Sequence, residues 1–138
     1  MARKAGFTLI DLLVTIVIIG ILAAAVVPPM QGRIDKAKWS EANATAGTIR
    51  RAVRAYASET DVATAQTLAG KNLGHQETQE ALGLTATGLE GTYFTASDYT
   101  ITSVDASAVS VVTVVASKPN APNGSYRLLT DGEWVKID

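Results

Sequence analysis

A single acidic residue lies inside a long apolar segment near the N-terminus. Asp11 follows Leu9-Ile10 and precedes Leu12-Leu13, in an almost purely apolar run that continues to Val27. A carboxylate in a membrane-spanning segment costs about 2.5 to 3.5 kcal/mol on insertion scales, and it usually marks a partner or a pathway. The chemistry that we predict at Asp11 is therefore charge pairing in an apolar medium, for which a cation must lie nearby.

The apolar run predicts one membrane-spanning helix that positions this carboxylate. From Phe7 to Val27 a helix would rise about 31 Å, which is close to the hydrocarbon thickness of a bilayer. Arg3 and Lys4 precede the run, and basic residues favour the cytoplasmic side of a membrane. We therefore expect a single-pass membrane protein with a cytoplasmic N-terminus and a periplasmic or extracellular remainder.

Two other interpretations of the N-terminus remain open. The two basic residues and the alanines before Val26 fit a secretory signal peptide, which would give a mature chain that begins near Val26. An uncleaved single-span anchor fits the same apolar run. Both alternatives leave Asp11 without a role.

The composition limits the partners of the chain. With 138 residues there is room for one small domain after the span. The chain has 12 basic and 13 acidic side chains, so its net charge does not predict nucleic acid as a partner. Arg50, Arg51 and Arg54 form a compact basic group. Pairing with another copy of the chain, or solvation, explains this group better than contact with DNA phosphates does. The chain has no Cys, so an exported domain must be stabilised by packing alone.

No residue pattern predicts a catalytic site. The single histidine, His75, has Glu77 and Glu80 nearby, but this spacing does not place three metal ligands on one face of a helix. A glycine-rich phosphate loop followed by Lys-Ser or Lys-Thr is not found in the sequence. We predict that the chain is not an enzyme.

After the span, the pattern predicts a second helix and then strands. Pro28 and Pro29 predict a kink or a local break. Apolar residues at three- and four-residue spacing predict a second helical stretch from about 30 to 58. That apolar stripe comprises Ile34, Ala37, Ala42, Thr45, Ile49, Val53 and Tyr56.

Short β-branched and aromatic runs predict a small antiparallel sheet at the C-terminus. The segment 60–91 is predicted to be a loop with one short helix around 76–82. The predicted strands are 99–104, 109–116, 126–130 and 133–137, with Thr92–Thr95 as a further edge. Asp131-Gly132 predicts a type I′ hairpin between the last two strands. The predicted fold class is α+β, a long N-terminal helix with a small antiparallel sheet.

The N-terminal features together resemble the processing site of type IV prepilins and type II secretion pseudopilins. They are a basic leader ending in Gly6, then Phe7, an acid five residues into the mature chain, and a proline at the end of the span. The order of elements is similar to the pilin fold. The resemblance divides the chain into a leader 1–6, a membrane and filament-core helix 7–29, an amphipathic helix 30–59 packing on a head, and the head itself, 60–138, with its connecting loop and sheet.

This resemblance implies a structural role in a filament. It implies cleavage after Gly6 by a prepilin peptidase, N-methylation of Phe7, and assembly through Phe7 and Asp11 into a helical homo-oligomer, a type IV pilus at the cell surface. Further implied partners are an inner-membrane assembly platform, its cytoplasmic ATPase motor and minor pilins. In the family the acid is usually Glu, so Asp11 has one methylene less of reach. The alternatives are a pseudopilin of a type II secretion system and a secreted or membrane-anchored binding domain that never polymerises.

The resemblance also bears on helix stability and on metal binding. Gly20 and Pro28 bracket a segment similar to the one that loses helicity in assembled pilin filaments, and both residue types weaken a helix. Calcium is the only cofactor that the resemblance to pseudopilins suggests. Its candidate ligands in the C-terminal loop are Asp131, Glu133 and Asp138.

Overall fold

The computed structural model describes Gly6 and residues 8–137 of the chain. Helix α1 spans Leu9–Glu59, and three short helices follow it, α2 (Val62–Gln66), α3 (Gln76–Ala81) and α4 (Ala86–Leu89). A 3₁₀ helix, Ala96–Asp98, leads into strands β1 (Tyr99–Val104), β2 (Ser110–Val115), β3 (Ser125–Leu128) and β4 (Trp134–Lys136). The strands form one antiparallel sheet in the order β1-β2-β3-β4. The predicted α+β fold class is confirmed.

The chain divides into two compact units, the first ending at Lys36 and the second beginning at Ala37. In the first unit, Leu9–Val27 has a mean hydropathy of 2.9 and no buried residue. By length and composition, this 19-residue segment can cross a membrane. Its apolar side chains are therefore available to lipid or to another protein surface.

Helix α1 is continuous through Gly20, Pro28 and Pro29. The sequence predicted two helical stretches separated by a kink or a local break, whereas the structure has a single helical element. Each proline removes one backbone donor from the helical ladder, but the turns on either side remain helical. The loss of helicity predicted for this segment concerns an assembled filament, and it stays a prediction.

The second unit holds the hydrophobic core, and one face of α1 supplies much of it. The buried positions on the helix recur every three or four residues, as expected for an amphipathic helix. The predicted stripe was wrong at its beginning, because Ile34 is 47% exposed and Ala37 is also exposed. The buried face begins at Trp39, and it comprises Trp39, Ala42, Ala46, Ile49, Val53 and Ala57.

The sheet and an aromatic cluster complete this core. Tyr99, Ile101, Val112, Val114 and Leu128 contribute from the strands. Burying each large apolar side chain contributes about 1.5 to 3 kcal/mol. Tilted aromatic rings surround the indole of Trp39, with centroid separations of 5.1 Å to Phe94 and 4.5 Å to Tyr126.

The connecting segment contains more structure than the sequence predicted. The short helix around 76–82 is confirmed as α3, whereas α2 and α4 were missed. Both begin at a recognisable cap, since Asp61 and Thr85 accept backbone hydrogen bonds from Thr64 and Gly88. The strand predicted at Thr92–Thr95 was wrong, because Thr95 instead caps the 3₁₀ helix in a reciprocal capping box with Asp98.

The hairpin between β3 and β4 is confirmed, but its turn differs from the prediction. The Gly132 N–H donates to the Leu129 carbonyl at 3.0 Å, and the Leu129 N–H donates to the Glu133 carbonyl at 2.9 Å. Gly132 has a φ of 91°, and Asp131 does not have a positive φ. A type I′ turn needs positive φ at both central residues, so the connection is a three-residue loop with a glycine bulge.

The hairpin between β1 and β2 repeats this geometry with alanine in the position of the glycine. The Ala108 N–H donates to the Asp105 carbonyl at 3.1 Å, and the Asp105 N–H donates to the Val109 carbonyl at 3.0 Å. Ala108 has a φ of 61°, which is unfavourable for a residue with a side chain. Its methyl group is nevertheless part of the buried core.

Candidate assembly site at the N-terminus

Asp11 and Thr8 form a reciprocal capping box at the start of α1. The Thr8 N–H donates to Asp11 Oδ2 at 3.2 Å, and the Asp11 N–H donates to Thr8 Oγ1 at 3.2 Å. In this arrangement the side chains of the N-cap residue and of the third helical residue satisfy two backbone donors that the helix leaves free. Asp11 therefore has a partner within its own chain, which the sequence analysis missed although Thr-x-x-Asp is the signal for it.

Gly6 lies before the helix and is exposed. A Cβ atom added at this position would meet no atom within 4 Å. The described residues therefore give no steric reason for a glycine at position 6. Phe7 lies outside the described residues, and its cleavage, N-methylation and assembly roles stay predictions.

The interior of the apolar segment has one further polar side chain, Thr15. Its hydroxyl donates to the Asp11 carbonyl at 2.8 Å. A hydroxyl that is hydrogen-bonded to its own helix backbone is tolerated in an apolar medium. Asp11 is the one acidic residue of the described span Leu9–Val27, so its carboxylate is the only acidic group that this span presents to its surroundings.

Two of the predicted calcium ligands, Asp131 and Glu133, belong to the β3–β4 loop. Asp131 Oδ1 accepts the Glu133 N–H at 2.9 Å and so closes the turn. Asp138 lies outside the described residues. Within the part of the chain that is described, no three His, Cys, Asp or Glu side chains are grouped to hold a metal ion. Calcium binding stays a prediction.

One residue of the basic group on α1, Arg50, has a structural role. Arg50 Nε donates to the Ser110 carbonyl at 3.2 Å, and its Nη2 donates to the Leu129 carbonyl. Arg50 thus links α1 to the start of β2 and to the β3–β4 loop. Arg51 and Arg54 are exposed.

A polar network that the sequence analysis missed attaches the segment after α4 to α1. Glu41 Oε1 accepts the Tyr93 N–H at 3.1 Å. Lys118 Nζ donates to the Gly91 carbonyl at 2.9 Å and lies 3.5 Å from Glu90 Oε1. A Cβ at Gly91 would overlap Glu41 Oε1, so a side chain at this position would displace the Glu41 carboxylate.

We expect Gly91→Ala to destabilise the fold by about 1 to 2 kcal/mol, because it displaces the Glu41 carboxylate and leaves the Tyr93 N–H without its acceptor. The measurement is denaturant unfolding of the detergent-solubilised chain. Glu41→Ala is the matched background, in which Gly91→Ala should have little further effect. Equal costs of Gly91→Ala in both backgrounds would contradict the proposed contact.

Tyr99 is fully buried in the core, and its hydroxyl makes no hydrogen bond to the described residues. Burial raises the pKa of Tyr99 to about 12, and the charges of Glu41 and Asp98 add to this effect. The Thr45 side chain acts to lower the pKa of Tyr99, although the Tyr99 hydroxyl forms no hydrogen bond with it. The core therefore favours the neutral phenol strongly.

We expect the free energy of unfolding to fall as the pH rises from about 10 to about 12. The folded chain keeps the Tyr99 proton in this range, whereas the unfolded chain loses it, so the stabilisation present below pH 10 disappears. The loss attributable to this residue is about 2 to 3 kcal/mol. Parallel unfolding curves of the wild type and Tyr99→Phe isolate it. Identical pH dependence in the two proteins would show that Tyr99 does not titrate abnormally.

The comparisons with known proteins concern the N-terminal part of the chain. Residues 1–27 match the family described as "Prokaryotic N-terminal methylation motif". The chain is 44% identical over 54 residues to "Type II secretion system core protein G" of Pseudomonas aeruginosa, and this alignment covers 39% of the chain and 38% of that protein. No solved structure matches.

Two pilus proteins are similar over the same share of the chain. "Type IV narrow pilus major component PilA5" of Thermus thermophilus is 48% identical over 50 residues, which is 36% of this chain and 43% of PilA5. "Fimbrial protein EcpC" of Eikenella corrodens is 46% identical over 57 residues, which is 41% of this chain and 37% of EcpC. The chain thus spans less than half the length of the curated relatives that it matches.

The comparisons show similarity over the N-terminal part of the chain, where the methylation motif and the apolar helix lie. Over this part the chain is similar to type IV pilins and to type II secretion pseudopilins. The similarity does not separate the two branches, because relatives from both align over about the same share of the chain.

Proposed function

We propose that this chain is a structural subunit of a type IV pilus and not an enzyme. The observation that carries the proposal is the apolar helix Leu9–Val27, which is unburied in the isolated chain and lies within the segment that matches the methylation motif. Such a surface needs lipid before assembly and protein after assembly. A filament core of packed helices meets the second requirement.

Cleavage after Gly6 would create the charge partner that Asp11 needs. The new N-terminus at Phe7 is a cationic amine, and in a filament the amine of a neighbouring subunit can approach the Asp11 carboxylate. Opposite charges about 4 Å apart attract by about 4 kcal/mol at an effective dielectric constant of 20. This attraction is sufficient to offset the insertion cost of the carboxylate.

The capping box orients the carboxylate for this pairing. Asp11 Oδ2 is the oxygen that accepts the Thr8 N–H, and a carboxylate has acceptor sites on both oxygens. Asp11 can therefore cap its own helix and accept a charged donor from another subunit at the same time. Thr8 limits the rotation of the short Asp11 side chain, which reduces the entropy lost on pairing.

In this proposal the subunit occupies two locations in succession. The precursor lies in the inner membrane with a cytoplasmic N-terminus, where a prepilin peptidase reaches the Gly6-Phe7 junction. Assembly by an inner-membrane platform and its ATPase motor then moves the span into a filament at the cell surface. Unlike faces of successive subunits meet in such a filament, and these heterologous contacts repeat without closing.

The test is deletion of the gene and its complementation, with electron microscopy of surface filaments and intact-mass analysis of the filament subunit. We expect filaments to disappear on deletion, and we expect the complemented filament to contain this chain beginning at N-methylated Phe7. A mature chain that begins near Val26, or an intact Met1 in a chain that stays monomeric after detergent removal, would overturn the proposal. Either result would favour a secreted or anchored binding domain.

The second candidate is a pseudopilin of a type II secretion system. It is favoured by the similarity to two proteins named "Type II secretion system core protein G", from Pseudomonas aeruginosa and Aeromonas hydrophila. The same deletion strain distinguishes the candidates. Loss of protein secretion with surface pili intact would favour the pseudopilin, and stability that depends on calcium would add to this.

A further inference from the structure

Asn123 is the least restrained asparagine of the chain. It lies in the loop between β2 and β3 and is exposed, and its side chain makes no hydrogen bond to any residue that the structure describes. The next residue is Gly124, which has a φ of 109°. The Gly124 N–H likewise donates to no described acceptor. The Asn123 side chain is therefore exposed, and neither its amide nor the Gly124 N–H is held by a hydrogen bond to the described residues.

The other asparagines are restrained by the fold. Asn72 makes three side-chain hydrogen bonds, to the Ser97 carbonyl at 2.9 Å, to Thr100 Oγ1 at 3.0 Å, and from the Gly74 N–H at 2.7 Å. Asn120 donates to the Thr92 carbonyl at 3.1 Å. Asn43 lies within helix α1. Each of these three is followed by leucine or alanine, whose side chain hinders approach to the following nitrogen.

We propose that Asn123 is a site of spontaneous covalent modification, in which the amide is converted to a carboxylate. The Gly124 nitrogen attacks Asn123 Cγ, a new C–N bond closes a five-membered imide, and the side-chain nitrogen leaves as ammonia with the proton of the Gly124 amide. Water then adds to one of the two imide carbonyls and opens the ring. The products are aspartate and isoaspartate at position 123.

Glycine makes this step accessible for two reasons. It has no Cβ to obstruct the attacking nitrogen, and it reaches backbone conformations that other residues avoid. The site is at an exposed loop between two strands, where local opening costs little free energy. Ring closure therefore needs no disruption of the core.

The modification changes both charge and backbone length beside the sheet. The product has one more negative charge than asparagine. Isoaspartate also places one additional carbon in the main chain two residues before Ser125, which pairs with Val115 at the start of β3. The nearby residues Lys118 and Asn120 attach this loop to Gly91 and Thr92, so the change occurs next to a connection within the second unit.

The test is incubation of the purified full chain in detergent at neutral pH, followed by proteolysis and fragmentation mass spectrometry of the peptide that contains Asn72, Asn120 and Asn123. We expect conversion of Asn123 to aspartate and isoaspartate, with Asn72 and Asn120 keeping their amides over the same time. Retention of the Asn123 amide, or equal conversion of Asn120, would overturn the proposal.

Two controls test why Asn123 is converted and the other asparagines are not. Asn123→Gln has the same charge and polarity but needs a less favourable six-membered ring, so conversion at position 123 should be lost. In urea the hydrogen bonds of Asn72 and Asn120 are removed, and their conversion should increase towards the value set by the local sequence alone. If urea leaves the ratio between Asn123 and Asn120 unchanged, the fold does not protect Asn120 and the structural argument is wrong.

Discussion

Replacement of Gly6 by valine is expected to leave all of the precursor uncleaved and to abolish filaments. In the described chain the position is open, with no atom within 4 Å of an added Cβ, so valine does not disturb the fold. A protease must bring its own groups against the scissile backbone, and a branched side chain at the junction prevents this approach. Intact mass of the chain from cells that contain a prepilin peptidase measures the effect.

Gly6→Ala is the graded control for this variant. Alanine adds one methyl group and should allow partial cleavage, in proportion to the space that the protease leaves. The unfolding midpoint of both variants should equal that of the wild type, because a Cβ at position 6 would meet no described atom within 4 Å. Normal amounts of mature chain from Gly6→Val would show that the junction is elsewhere.

Replacement of Asp11 by asparagine is expected to stop assembly while leaving cleavage intact. Asparagine can still accept the Thr8 N–H, so the capping box remains, but the negative charge that pairs with the Phe7 amine is lost. Removing an attraction of about 4 kcal/mol weakens subunit addition by about 10³-fold. Filament counts by electron microscopy, combined with the mass of the membrane-bound subunit, measure both parts of the expectation.

Two matched variants separate the charge from the cap. Thr8→Val removes the hydroxyl that accepts the Asp11 N–H but keeps the carboxylate, and it should reduce assembly much less than Asp11→Asn. Asp11→Glu keeps the charge and adds the methylene that is usual in the family, so it should assemble at least as well as the wild type. Assembly by Asp11→Asn at the wild-type level would make the cap, and not charge pairing, the function of this residue.

The span and the strands could be predicted because each depends on a local pattern. Leu9–Val27 is apolar throughout, and β1 at Tyr99–Val104 has the predicted bounds. The β3–β4 loop was placed correctly for the same reason. Its turn type was not, since Asp131-Gly132 is compatible both with a two-residue turn and with a loop that uses only the positive φ of Gly132.

Other features depend on contacts that a single pattern does not contain. Ala108 adopts a positive φ, which no propensity predicts for alanine, because its methyl group is held in the core. The contact of Glu41 with Gly91 joins residues fifty positions apart. At the N-terminus the acid itself was predicted, but its capping partner Thr8 was not, although the Thr-x-x-Asp spacing is a local signal for this pairing.

The division of the chain after Lys36 has a consequence for reversibility. Every residue of the described hydrophobic core lies at or beyond Trp39, so the apolar helix Leu9–Val27 contributes no side chain to that core. Exchange of lipid for protein around Leu9–Val27 would then remove no contact of the core. If the proposed filament forms, we expect a subunit that returns from it to the bilayer to keep the core of its second unit.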